Sequence, residues 1–278
     1  MIRVSLIVPT RGRAARCRQM IESALDLAHG PDAVEFVLGI DADDSESVDA
    51  LKINRNLTPV IYPRGKTVAR TIDRLWVHAS GAVMGRMDDD LAFDTHNWDE
   101  AYRDMADASL SGYGLFYPQD VQVGEGFVSL PAMTRRMMEA VREIQSFVTA
   151  PWFPFWFTDT WWDELGDMTG FKAPLAVKTA MPEGRGVTTG MRDLVFWAGV
   201  FERTRPQRIE TARKLIERMY RGGLKETNLA KLKERAAICA MKVQHLREPG
   251  FVAQWEANAG AGPSERYDEA KREAEALA

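Results

Sequence analysis

Residues 82–90 read Ala-Val-Met-Gly-Arg-Met-Asp-Asp-Asp, a short apolar strand that stops at three consecutive carboxylates, Asp88, Asp89 and Asp90. Adjacent acids repel one another and lose hydration when packed, so a fold that keeps three at a strand end needs a cation to offset them. A divalent metal meets that need; taken alone, the triplet also reads as a solvated acidic turn. Open α/β sheets gather their ligands beyond the carboxyl ends of the strands, which is where these acids fall.

The stretch upstream repeats the pattern. Residues 4–8, 34–40, 59–62 and 82–87 are short apolar or β-branched runs with amphipathic segments between some of them, which predicts a mostly parallel α/β sheet. The first run ends in Pro9-Thr10-Arg11-Gly12-Arg13, the second in Asp41-Ala42-Asp43-Asp44 and the fourth in Asp88-Asp89-Asp90. A doubly wound sheet would bring these three ends to one crevice, placing a hydroxyl, an arginine and at least two carboxylates around a single ligand. Gly65-Lys66-Thr67 is no P-loop, because that motif needs a glycine five positions before Gly65 and Val60 stands there.

The chain of 278 residues is long enough for one large domain or one domain with an appendage. No apolar run approaches the roughly 20 residues of a membrane span, and the longest candidate covers only residues 150–157. The first residues enter a strand pattern without signal-peptide order, which predicts a cytoplasmic protein. Cys17 and Cys239 lie too far apart for a metal-type spacing and fit a reduced compartment.

The net charge of −4 conceals an asymmetry, since residues 203–247 carry +9 and the remainder −13. The pattern changes at the same place. Ile209, Ala212, Ile216 and Met219 recur at helical spacing, Gly222-Gly223 interrupts, and Leu229, Leu232, Ala236, Cys239, Val243 and Leu246 resume it. This predicts an antiparallel helical hairpin with Cys239 in its seam, and so a division into residues 1–200 and a basic extension, 201–278. After Pro249-Gly250, residues 260–263 read as a linker and 264–278 as a frayed, charged terminal helix.

Four motifs in order carry a resemblance. Val-Ser-Leu-Ile-Val-Pro-Thr-Arg-Gly-Arg, the Asp41 cluster, Gly65-Lys-Thr-Val-Ala-Arg-Thr-Ile-Asp73 ahead of Ala79-Ser-Gly81, and Met87-Asp-Asp-Asp90 resemble the family 2 glycosyltransferases of GT-A fold over residues 3–93. Thr71 departs from the asparagine usual there. The resemblance implies a GT-A domain, Rossmann-like and mostly parallel, that binds a nucleotide-diphosphate sugar and uses Mn2+ or Mg2+. Thr10 and Asp41 would hold the base, Asp88 the ribose side and Asp90 the metal, with Asp88 a second metal candidate. Arg64, Lys66 and Arg70 would add positive charge near the diphosphate, and Pro9, Arg11, Asp89 and Arg192 complete the candidate donor site.

The same resemblance places a general base at the start of a helix beyond the acceptor loop. Phe157-Thr158-Asp159-Thr160-Trp161-Trp162-Asp163 occupies that place, with Asp159 the first choice and Asp163 the second. Tryptophan walls disfavour an ionised carboxylate and raise its pKa towards useful base strength. Thr158 or Asp159 serving only as a helix cap is the competing reading, and the two roles are compatible. Trp152, Phe153, Phe155, Trp156, Trp161 and Trp162 divide between stacking on a ligand and filling the core, with core expected for at least half. Residues 183–193, glycine-rich with Arg185 and Arg192, read either as a lid over the diphosphate or as a plain loop. His245 is expected to be solvated, not a metal ligand.

For the acceptor, residues 95–100, 128–133 and 157–162 resemble a subgroup encoded by tailed bacteriophages, which implies a viral component such as a hydroxymethylated DNA base or a virion protein. The basic hairpin would then engage DNA phosphates; its plain alternative is a solvated helix pair balancing an acidic domain. A sugar-nucleotide pyrophosphorylase shares the fold class but should carry a glycine-rich loop with Arg and Lys after the first strand, which Pro9-Thr10-Arg11-Gly12 does not supply. A non-catalytic carbohydrate or nucleic-acid binding module would not need Asp88–Asp90 and Asp159 together. The remaining alternative is transfer to a cell-surface glycan.

Overall fold

The computed structural model describes residues 3–52, 55–65, 67–120, 126–154, 156–180, 193–220, 225–257 and 265–276. Four strands follow the expected runs: β1 (Val4–Thr10), β2 (Val34–Asp41), β3 (Leu57–Tyr62) and β4 (Val83–Arg86). Between them lie the helices α1 (Ala14–Leu27), α2 (Ser45–Ala50) and α3 (Val68–Leu75). The strands pair in parallel in the order β3-β2-β1-β4, with Val4 beside Val34 and Val83. Near-continuous apolar runs suit this arrangement, because a parallel strand is covered on both faces. Leu6 and Val8 point into one core, against Met20 and Ile21 of α1, while Ile7 joins the core on the other face.

Beyond β4 the sheet changes direction. The two-residue β5 (Ala92–Phe93) and α4 (Trp98–Asp107) lead to β6 (Leu115–Asp120) and β7 (Ala132–Thr134). Helices α5 (Arg135–Gln145) and α6 (Thr158–Thr169) then precede β8 (Lys172–Ala180). The complete order is β3-β2-β1-β4-β7-β6-β8-β5, eight strands, with β7 antiparallel to β4 and β6, and β8 parallel to β6. Strands β5 and β7 are two and three residues long, and β6 pairs with β8 through a register shift between Tyr117 and Gln119; none of the four is among the strands expected from the sequence. The Ala79-Ser80-Gly81 turn is fixed by a close approach: a Cβ on Gly81 would lie 2.5 Å from the Arg3 carbonyl oxygen. The buried Glu35 carboxylate accepts bonds from Ser5, Ser80 Oγ and the Ser80 amide, tying the same turn to β1 and β2.

The carboxyl-terminal third is helical: α7 (Leu194–Arg203), α8 (Arg205–Met219), α9 (Glu226–Lys242), α10 (Pro249–Ala257) and α11 (Glu265–Glu275). Helices α8 and α9 are the expected pair, and Cys239 is 1% exposed as its seam position requires. Gly222-Gly223 and residues 260–263 lie outside the described residues. The apolar core runs without interruption from Ile7 and Val37 of the sheet through Trp161 and Leu165 of α6 to Leu215, Leu232, Cys239 and Ala274. Pro249-Gly250 opens α10, since proline is tolerated at a first helical position. One expectation changes here: the terminal helix α11 docks, with Ala270 and Ala274 buried one turn apart. Among the described residues no helix is long and apolar enough to cross a membrane.

Candidate active site

Strands β1, β2 and β4 deliver their ends to one place. Thr10 Oγ1 donates to Asp89 at 2.8 Å, Arg13 bridges Asp89 and Asp90 at 2.8 Å each, and Arg11 Nη1 meets Asp41 at 2.9 Å and Asp43 at 2.5 Å. Parallel strands with matched registers bring this about, because Pro9 and Thr10 stand beside Gly39 and Ile40, one step from Asp41. Asp44 caps α2 and accepts the Gly12 amide at 2.7 Å, which holds the Arg11-Gly12-Arg13 turn over the crevice.

The three adjacent acids differ in surroundings. Asp89 is 1% exposed, and burial pushes its carboxyl up to about 6 against the pull of Arg13 and the Thr10 hydroxyl. Asp90 retains 10% of its side-chain surface and Asp88 29%. Arg86, buried at the end of β4, pairs with Asp88 at 2.5 Å and donates to the Ser129 carbonyl. Two arginines therefore offset the triplet, each holding one oxygen of the more open pair: Asp88 Oδ1 and Asp90 Oδ2.

A metal was expected at Asp88 and Asp90. Among the described residues no group of three acidic, histidine or cysteine side chains forms a ready metal cage. The second oxygens, Asp88 Oδ2 and Asp90 Oδ1, have no hydrogen bond or ion pair among the described residues. Hard carboxylate oxygens on an open crevice suit Mg2+ or Mn2+, which take one or two carboxylates and fill the remaining positions with phosphate oxygens and water. The donor set fits such an ion when a diphosphate accompanies it.

A second wall comes from α3 and the segment before α6. Thr67 caps α3 by accepting the Arg70 amide and donates its hydroxyl to the Pro151 carbonyl at 3.0 Å; the Val68 amide donates to Pro154 at 3.2 Å. Arg64 lies 3.9 Å from Asp43, joining this loop to the end of β2. Arg70 pairs with Glu273 of α11 at 2.8 Å. Lys66, Phe155 and Arg192, with the segment 181–192, lie outside the described residues.

Helix α6 begins with a strained residue. Phe157, its N-cap, has φ 68°, a left-handed conformation that costs a bulky side chain about 1–3 kcal/mol. It is held there by burial and by stacking on Phe201 at 5.0 Å. The turn places Asp159 in the first helical turn, where its carboxylate accepts the Thr160 amide at 2.7 Å and the Thr160 hydroxyl at 3.3 Å. Asp159 thus satisfies one helix-end donor without being the cap. Burial raises its pKa above the ordinary aspartate value, and the nearby Arg86 guanidinium opposes that rise. Asp163, four residues on, is engaged differently: it accepts from Lys172 at 2.7 Å and from the Val128 amide at 3.1 Å. Phe153, Trp161 and Trp162 are core residues, whereas Trp152 and Trp156 are only partly covered.

Among the described residues, seven cations of the basic helices meet carboxylates within the fold. Arg205 and Arg208 both bind Glu164, Arg213 and Lys214 bind Glu210, Arg218 binds Glu143, Lys242 binds Asp167 and Arg247 binds Glu202. Arg203, Lys225, Lys231 and Lys233 are exposed without an ion pair among the described residues, and His245 is exposed and packs edge-on against Phe251. Burial pushes the Cys17 and Cys239 thiols up to about 12, so both are inert core residues.

Sequence reasoning missed two site residues, Arg13 and Arg86. A signal existed for the second, because an arginine inside an apolar strand is rarely buried unless an acid accompanies it, and Asp88 follows two positions later. Arg13 stood in the first motif without a role; its partners lie 76 and 77 residues away.

No family model matches the sequence, and no curated protein matches it. Solved structures do. The protein is similar to S. aureus TarS 1–349 in complex with UDP-GlcNAc, at 11% identity and TM-score 0.53, with 99% of this chain and 92% of that one covered. It is also similar to the mannosyltransferase PcManGT from Pyrobaculum calidifontis in complex with GDP-Man and Mn2+, at 15% identity and TM-score 0.52, covering 99% and 85%. The neighbours are glycosyltransferases of GT-A fold, and that is the fold of this chain. They lend no support to the bacteriophage subgroup.

Proposed function

We propose that this protein is a metal-dependent glycosyltransferase that moves a sugar from a nucleotide-diphosphate sugar to a hydroxyl acceptor. The observation that carries the reading is the meeting of Thr10, Asp41 and Asp88–Asp90 at the ends of three parallel strands, with Asp159 close enough to Arg86 to feel its charge. Similar folds holding UDP-GlcNAc, or GDP-Man with Mn2+, strengthen it. Thr10, Arg11 and Asp41 would take the nucleoside side, with Arg11 turning from Asp41 as the base enters. Asp88 and Asp90 would hold Mn2+ or Mg2+. Such an ion offsets the charge that develops as the diphosphate leaves, worth several kcal/mol.

Asp159 is the proposed base. In a direct displacement the acceptor oxygen bonds to the anomeric carbon, the carbon–oxygen bond to the diphosphate breaks, and the acceptor's proton passes to the Asp159 carboxylate. The product is then inverted at that carbon. A raised pKa improves proton acceptance but requires a pH high enough for ionisation. Asp163, bound by Lys172 and the Val128 amide, is better suited to holding α6 against β8. The acceptor is a hydroxyl of a glycan or protein in this reading; the DNA base implied by the phage resemblance would have Arg203, Lys225, Lys231 and Lys233 as exposed cations without an ion pair among the described residues.

Incubation with UDP and GDP sugars, Mn2+ and mixed acceptors, followed by assay of released nucleoside diphosphate, tests the reading. Asp159→Asn is expected to retain donor binding and lose roughly 10²–10⁴-fold in turnover. Product NMR should show inversion. Retention, or an unimpaired Asp159→Asn, removes Asp159 from the proton transfer.

A further inference from the structure

Helix α11 lies at the end of the chain, yet it reaches the wall of the crevice. Its apolar side, Ala270 and Ala274, is buried at 1% and 0% exposure, too deep for a loosely attached tail. Tyr267 accepts the Trp197 indole N–H at 2.7 Å, and Lys271 pairs with Asp193 at 3.0 Å while lying over the Phe196 ring. These contacts fix α11 against α7 and leave one carboxylate, Glu273, facing Arg70 on the first turn of α3.

The geometry of that pair is specific. Glu273 Oε2 takes Arg70 Nη2 at 2.8 Å, and among the described residues no other acceptor takes the guanidinium. Arginine presents five donors in a rigid fork, so one carboxylate contact can fix its plane while another edge remains for a second anion. Arg70 is 30% exposed, on a turn whose approach is pinned by Thr67 to Pro151 and by Val68 to Pro154. It follows the basic residues Arg64 and Lys66 in sequence. An arginine on a flexible stem loses conformational entropy when it meets a phosphate; one already held by a carboxylate has lost part of it beforehand.

We propose that Glu273 is a positioning residue of the donor site: α11 carries it to Arg70, whose guanidinium it aims at the diphosphate of the nucleotide. This rests on the glycosyltransferase reading above, and it makes the last helix part of the binding site. Glu273 touches no substrate. Its effect on diphosphate affinity should therefore pass through Arg70 and be strongest at the phosphate end of the ligand.

Titration of the full chain with UDP and GDP in the presence of Mn2+, alongside uridine and guanosine, separates the possibilities. Glu273→Gln should weaken diphosphate binding by on the order of five- to tenfold, as expected for a misaligned charge-assisted contact, with nucleoside affinity and melting temperature unchanged. Glu273→Asp should recover part of the loss. Arg70→Ala should cost more, and adding Glu273→Gln to it should cost nothing further, because coupled residues are not additive. If the unaltered chain binds a diphosphate and Glu273→Gln binds it equally well, the positioning role is wrong and the glycosyltransferase reading stands. An equal loss for nucleoside and diphosphate would also overturn it, marking a general structural contact. If neither diphosphate binds the unaltered chain, both proposals fall.

Discussion

The strand-end crevice and the helical third treat charge in opposite ways. In the helices, Arg208 is fully buried, yet it donates to Glu164, Thr204 and the Phe201 carbonyl and lies 3.7 Å over the Phe201 ring. Its partner Glu164 takes Arg205 as well. In the crevice, Asp88 and Asp90 stay partly open with one oxygen each engaged, and Asp89 is buried beside two other acids. Charges with a full set of partners hold helices together; charges with an incomplete set hold room for a ligand. The comparison also explains why a +9 segment need not bind nucleic acid, since many of its cations already meet carboxylates of the same chain.

The largest effect should come from breaking a complete set. Arg208→Met leaves Glu164 buried with only Arg205 and is expected to cost about 3–5 kcal/mol, measured by denaturant unfolding. Pairing it with Glu164→Leu should recover most of that loss, because replacing a buried ion pair by apolar groups is often neutral. If the double variant is no better than the single, the pair is not the self-contained structural unit described here.

The crevice should respond to pH instead. Asp89 has a folded value of about 6, above its ordinary 3.8, so the folded state holds this proton more tightly than the unfolded chain. Below about pH 4 both states are protonated and nothing is lost; as pH rises to about 6 the unfolded chain ionises first and stability falls, by about 3 kcal/mol in all. Asp89→Asn should remove that decline. The difference between the two stability curves isolates it from acids such as Asp43, which Arg11 shifts the other way. A difference flat across pH 4–6 would mean that Arg13 and Thr10 compensate the burial of Asp89.

The crevice was more legible in the sequence than the means of holding it. Strand ends announce themselves locally: an apolar run stops at Thr10, at Asp41 or at Asp88, and parallel order does the rest. Partnerships such as Arg13 with Asp90, or Arg70 with Glu273, join residues far apart in the chain, and no local pattern reports them. The fate of α11 was hidden for a related reason. Its two buried alanines are too small to give an apolar stripe among so many charges, although their spacing of four is helical. Asp163 shows the converse, since an acid at the right distance from Asp159 proved to be matched to a lysine on the next strand.

A smaller effect is expected on the exposed face of α9. Lys231→Ala with Lys233→Ala should change stability by no more than about 0.5 kcal/mol and leave donor turnover unaltered. Marked loss of transfer to a hydroxymethylated DNA acceptor, with a shallower salt dependence, would instead return these helices to nucleic-acid binding.

The most direct measurement is calorimetric titration of UDP and GDP into the protein with and without Mn2+, repeated on Asp90→Asn. Binding of one diphosphate should require the metal, and Asp90→Asn should abolish that dependence while the protein stays folded, because Arg13 keeps its ion pair with Asp89 when that with Asp90 is lost. Equal affinity with and without Mn2+, or an Asp90→Asn protein that keeps its full manganese dependence, would contradict a crevice built to hold a metal-bound nucleotide diphosphate.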